Sequence, residues 1–108
     1  MNIIFKDAAL SELYEKRETK SKKYKQICKN KKLIDGYIRA VGIMYSVETT
    51  ADLKPLSFLH YEKLKYQLAG YSSVRLSAGR IHRLIFVEED DHITLTLVTL
   101  DNTHYGNK

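Results

Sequence analysis

The chain has 108 residues, 44% hydrophobic and 29% charged, with a net charge of +5. A chain of this length buries one core without metal or disulfide staples, and its balance of apolar and charged residues excludes disorder. No apolar run approaches the roughly 20 residues of a membrane helix, and Lys6 and Asp7 interrupt the apolar start MNIIF before it could form a signal peptide. Cys28, the single cysteine, rules out an internal disulfide and a cysteine-based zinc site, so the expected location is a reducing cytoplasm, with no membrane partner.

Residues 2–5 are expected to form a short first strand. Asp7 then stands at a helix N-cap position, and Leu10, Leu13 and Tyr14 share one helical face. Residues 16–32, KRETKSKKYKQICKNKK, hold nine of the 18 basic side chains and one acid, Glu18. Apart from Cys28, their sizeable anchors are Tyr24 and Ile27. Such a field attracts polyanions, nucleic acid the commonest among them, in a salt-dependent way. A solvated helix face and a landing surface for an acidic protein are the competing readings of the same charge.

A second helix is predicted over roughly 31–47, where Leu33, Ile34, Tyr37, Ile38, Val41, Met44 and Tyr45 make an apolar stripe. Gly36 and Gly42 weaken this helix in isolation, so it must rely on packing. Residues 48–56 form a loop containing Pro55, and SFLHYEKLKYQLAGY is a short amphipathic turn or strand lead-in running up to Gly70. Three strands follow at about 72–77, 81–87 and 92–100, with SAGR and EEDD as the hairpin turns. The order β-α-α-β-β-β predicts one α+β domain over 1–108. Its N-terminal strand and two helices pack on one face of a small antiparallel sheet, and the other face is left partly open for a site.

The four histidines show no metal-ligand spacing, and no glycine-rich phosphate loop or nucleophile elbow exists, so neither metal nor cofactor is expected. What remains is Glu62, Lys63, Lys65, Arg75, Arg80, Arg83, His104 and Tyr105, positions that a three-stranded meander can bring to one face and its edge. Arg83 shares a strand-period face with Ile81, Ile85 and Val87. Its stem is expected to pack there while its head stays hydrated at the open end of the sheet, met by His104 and Tyr105. RNA cleavage uses such a set without metal: a base takes the 2′-hydroxyl proton, cations stabilise the phosphorane, and an acid protonates the 5′-oxygen. On residue chemistry Glu62 suits the base, Arg83 and a lysine the cations, and His104 the acid. The competing reading is that Arg75 and Arg83 pair with the acids of the meander and have no further role.

The stretch YEKLKYQLAGYSSVRLSAGRIHRLIF, followed by THYG, resembles the RelE/ParE superfamily of bacterial type II toxin–antitoxin toxins, most of all its YoeB and HigB branches. The resemblance covers about residues 59–106, in the order L-K, glycine-aromatic, S-x-R, R-L-I-F and terminal H-Y. It implies a ribosome-dependent mRNA endoribonuclease that inhibits translation and growth. Its partners would be mRNA, the ribosome and a cognate antitoxin, a small helix-turn-helix protein. The resemblance further implies Glu62 as general base, Lys65 as a phosphate contact, Arg75 as the substrate-binding arginine of the first meander strand, and Arg83 at the scissile phosphate. His104 becomes the general acid and Tyr105 a stacking or positioning residue. The chain departs from the pattern where Tyr66 replaces the usual glycine after L-K, and where DNT separates the last strand from His104. The alternatives within this resemblance are a ParE-like DNA gyrase inhibitor and an inactive RNA- or protein-binding domain.

Overall fold

The computed structural model describes residues 1–76 and 82–101. Strand β1, Asn2–Phe5, turns Ile3 and Phe5 toward the core. Helix α1, Ala8–Lys16, starts where the Asp7 carboxylate accepts from the Ala9 N–H at 2.9 Å. It ends at Arg17, whose left-handed φ of 63° lets its N–H bond the Leu13 carbonyl. The basic segment folds as a 3₁₀ turn and a single helical turn, α2, Lys25–Cys28, with the expected anchors Tyr24 and Ile27 buried. Helix α3, Lys31–Ser46, begins at the Asn30 cap and buries Leu33, Ile34, Tyr37, Val41 and Met44. Tyr45, expected in that buried stripe, is exposed: it sits on the last turn and packs against Tyr14 at a ring distance of 5.7 Å.

The sheet is mixed and has five strands among the described residues, in the order β1-β5-β4-β3-β2. Here β2 is Glu62–Lys63, β3 Ser72–Arg75, β4 Arg83–Glu88 and β5 Thr94–Asp101. The last three form the expected antiparallel meander. The first strand joins it in parallel, Ile3 beside Leu95 and Phe5 beside Leu97, and the lead-in contributes β2 at the opposite edge. The SAGR turn and Ile81 lie outside the described residues. Leu84, Phe86, Val74, Leu95, Leu97 and Leu100 share a core with α1 and α3, so the helices cover one face as the α+β reading requires.

His92, expected to open the last strand, instead sits in the turn before β5 with a left-handed φ of 61°. Asp91 holds that turn by accepting from the N–H groups of Ile93 and Thr94, both at 3.0 Å, and from the Thr94 hydroxyl at 2.7 Å. The Ile93 N–H, then the Thr94 hydroxyl, keep its carboxyl below the usual range. A carboxylate lowered on folding stabilises the protein above its unfolded pKa of about 4 and loses that contribution as the pH falls further. Asp91→Asn is therefore expected to melt below the parent at pH 7, with the gap closing in acid; a gap independent of pH in melts from pH 7 to 2 excludes a charge origin.

Candidate active site

Register decides which side chains meet on the face away from the helices. Arg83 lies opposite Arg75 on one side and Asp101 on the other; the next row holds Ile85 between Ser73 and Thr99, and Glu62 lies opposite Ser73. Directly opposed residues share a face, as do residues two apart along a strand. Arg75, Arg83 and Asp101 thus line up beside Glu62, Ser73, Ile85 and Thr99.

The guanidinium of Arg83 donates to Glu62 Oε1 at 3.1 Å and stands 3.9 Å from Asp101 Oδ2. This corrects the expectation of a hydrated head: Arg83 is 5% exposed and is held between carboxylates. Burying an arginine requires such compensation, because an isolated charge away from water costs several kcal/mol, on the order of the whole stability of a small domain. The two acids differ in access. The Glu62 side chain is 46% exposed and faces solvent, whereas that of Asp101 is 11% exposed. Glu62 is therefore available to an incoming molecule, and Asp101 acts as the inner anchor.

Asp101 is the residue that reading the sequence missed. It is the first residue of the DNT spacer and closes β5, and nothing in its neighbours marks it; only the pairing of β4 with β5 puts it across from Arg83. The hydroxyl of Ser73, between Glu62 and Ile85, is buried and has no hydrogen-bond partner among the described residues.

The other expected residues fall into three groups. Arg75 is half-buried beside Arg83. Lys63 and Lys65 are exposed, and Lys63 lies on the opposite face of β2 from Glu62, since its partner Ser72 pairs with Phe86 of the core face. Arg80, His104 and Tyr105 lie outside the described residues. Among the described residues, no three His, Cys, Asp or Glu side chains gather as a metal set.

Tyr66 has a φ of 58°, in the left-handed region that favours glycine. That is the position where the resembling toxins carry glycine, and here the strained residue is an exposed aromatic directly after Lys65. The basic segment also returns to this side of the sheet. The Tyr24 hydroxyl is 3.1 Å from the Thr99 hydroxyl, and the Lys23 ammonium lies 5.4 Å from the Tyr24 ring. Of its nine basic groups, Arg17 and Lys31 are engaged with Asp35 of α3, whose carboxyl is held low by the Arg17 guanidinium first and by Lys31 second.

No protein-family model and no curated protein sequence matches the chain. Solved structures do. A chain of the YoeB–YefM complex from Staphylococcus aureus is 27% identical, with 97% of this chain and 98% of that one covered at a TM-score of 0.53. The YoeB dimer from the same organism is 24% identical over 97% and 98%, with a TM-score of 0.50. The YoeB/ParE toxin from Agrobacterium tumefaciens, 16% identical over 96% and 100% at a TM-score of 0.54, shares the fold.

Proposed function

We propose, from the likeness to the YoeB structures, that the chain is a toxin of the RelE/ParE superfamily on its YoeB side, one half of a toxin–antitoxin pair, acting as a metal-independent mRNA endoribonuclease. The observation that carries the reading is the contact between Glu62 and Arg83 on the open side of the sheet: an accessible carboxylate held against a guanidinium anchored from behind by Asp101. The carboxylate is half-exposed on the edge strand, and Arg75 lies on the same face one row away. A strand of RNA crossing that edge meets a base and cations in one place.

In this mechanism the scissile phosphate displaces Glu62 from the guanidinium of Arg83, and the freed carboxylate accepts the 2′-hydroxyl proton. The 2′-oxygen bonds to phosphorus and the bond to the 5′-oxygen breaks, leaving a 2′,3′-cyclic phosphate. Arg83, with Arg75 and Lys65, balances the added charge on the phosphorane. His104 protonates the departing oxygen, and Tyr105 stacks on a neighbouring base. The setting is the decoding site of cytoplasmic ribosomes, where the basic segment 16–32 adds salt-dependent affinity for ribosomal RNA phosphates. A cognate antitoxin, a small helix-turn-helix protein encoded beside the toxin, silences it.

Single-turnover cleavage of ribosome-bound mRNA tests the assignment. Glu62→Gln and His104→Gln are each expected to slow cleavage by about 10² to 10⁴, and the double variant by less than the product, since such groups act as a unit. A 2′-deoxy substitution at the cut site abolishes the reaction. Parental rates in both single variants remove the acid–base roles, and gyrase-linked DNA breaks in place of cut mRNA make the protein a ParE-like inhibitor.

A further inference from the structure

Beside the Glu62–Arg83 pair, on the same face of the sheet, lies a half-open pocket of about 370 Å³. Lys23, Gln67, Leu68, Tyr71, Ile85 and Thr99 contribute to its lining among the described residues. Asp101, the inner anchor of Arg83, lines it as well, so pocket and ion pair share a wall. The volume is within the roughly 300–1,000 Å³ of small-molecule sites.

We infer that this pocket receives a nucleobase of the RNA flanking the scissile phosphate, and that Gln67 reads its edge; the inference rests on the nuclease reading of the neighbouring pair. Three features of the pocket support a base. Its walls are mostly apolar, with Tyr71 supplying an aromatic ring and Leu68 and Ile85 the aliphatic contacts that a flat heterocycle needs. Among its described polar groups Gln67 suits a base edge, offering both a donor and an acceptor, while the Thr99 hydroxyl is engaged with Tyr24 and Asp101 with Arg83. Its cation is Lys23, from the basic segment, placed to meet a backbone phosphate of the same nucleotide chain.

Spacing supports it too. The Ile85–Thr99 row is one same-face step from the Arg83–Asp101 row, about 7 Å along the strands, so a base seated on the first leaves its own or the adjoining phosphate within reach of the second. Gln67 and Leu68 follow Tyr66, the left-handed residue, in one 3₁₀ turn, Tyr66–Leu68. That backbone reversal swings residues 67 and 68 over the β4–β5 surface after the exposed Lys65. The 3₁₀ turn thus places the proposed base contact two residues after Lys65, the proposed phosphate contact.

The test is cleavage of ribosome-programmed mRNAs in which the nucleotides flanking the cut site are changed one at a time, including to an abasic residue. The parent is expected to prefer one base at one flanking position. Leu68→Trp, which fills the pocket, should raise KM about tenfold with an intact base, a loss of the size of one base-stacking contact, while kcat and melting temperature stay near parental. With an abasic nucleotide at that position, parent and Leu68→Trp should have the same KM, because the base that the tryptophan displaces is already gone. Gln67→Ala should raise KM for the preferred base alone, toward the value of the other bases, and so flatten the preference. A folded Leu68→Trp protein with parental KM and preference overturns the pocket assignment and leaves the nuclease reading standing. A parent that cuts none of these templates overturns both.

Discussion

Arg83→Ala is expected to lose mRNA cleavage and stability together, and a second variant separates the two losses. Its guanidinium lies between Glu62 and Asp101, and removing it leaves the carboxylate of Asp101, 11% exposed, without that partner. Breaking a buried pair from one side costs about 3–5 kcal/mol; the half-exposed Glu62 can turn to water, which puts the expected loss at the lower end. Loss of growth inhibition in Arg83→Ala alone therefore says little about chemistry. Arg83→Gln combined with Asp101→Asn removes both charges while keeping similar volume and hydrogen-bonding capacity, and should melt within a few degrees of the parent. The single-turnover rate of this pair of changes is nevertheless expected to fall by roughly 10² or more, as when one oxyanion-type donor is deleted. Arg83→Lys should also be slow, because a point charge cannot hold two carboxylates and then a phosphate with a planar fork. A folded double variant that cuts ribosome-bound mRNA at the parental rate would falsify the placement of Arg83 at the phosphate.

The largest effect on stability is expected at Gly36. A Cβ built there lies 1.6 Å from the carbonyl oxygen of Leu76, so α3 and the end of β3 pack backbone to backbone. No side-chain rotation relieves that clash, because the opposing atom is main chain. Gly36→Ala should cost about 3 kcal/mol or more, at the upper end of overpacking substitutions, despite the gain in helix propensity. Gly42, on the same helix, is the control: a Cβ there has nothing within 4 Å. Gly42→Ala should stabilise by about 0.5–1 kcal/mol, from propensity and a more restricted unfolded chain. Thermal melts are expected to move in opposite directions, by roughly 4–8 °C for each kcal/mol. Equal shifts would mean that the approach of α3 to Leu76 is looser than described. Because Leu76 follows Arg75 directly, the Gly36 contact also fixes where β3 presents its arginine beside Arg83.

Much of this protein is local and was open to reading without coordinates. The Asp7 cap, the Leu33–Met44 stripe, the buried anchors Tyr24 and Ile27, and the meander follow from which residues are apolar and at what period. Such patterns depend on a window of a few turns or strands, and the structure agrees with them to within one or two residues at most ends. The departures have equally local causes. Tyr45 keeps the helical period but stands on the final turn, where no element of the core covers it, and His92 gives way to the Asp91 cap that sets the turn before β5.

The candidate site divides along the same line. The sequence determined the types of groups and their order: a carboxylate before L-K, an arginine on each of two strands, and a basic segment with aromatic anchors. It could not say that Arg83 would be buried. That depends on the register of β4 with β5, which brings Asp101 behind the guanidinium, and on the edge strand β2, which brings Glu62 in front. Nor could it place Lys23 beside Ile85 and Thr99, because residues 22–24 reach that face only through a fold that joins the two ends of the chain. Tertiary pairing decides such contacts because each is made between segments remote in sequence. Its free energy comes from burying apolar surface that α1, α3 and the sheet share, and a one-residue slip in register would move Arg83 to the opposite face.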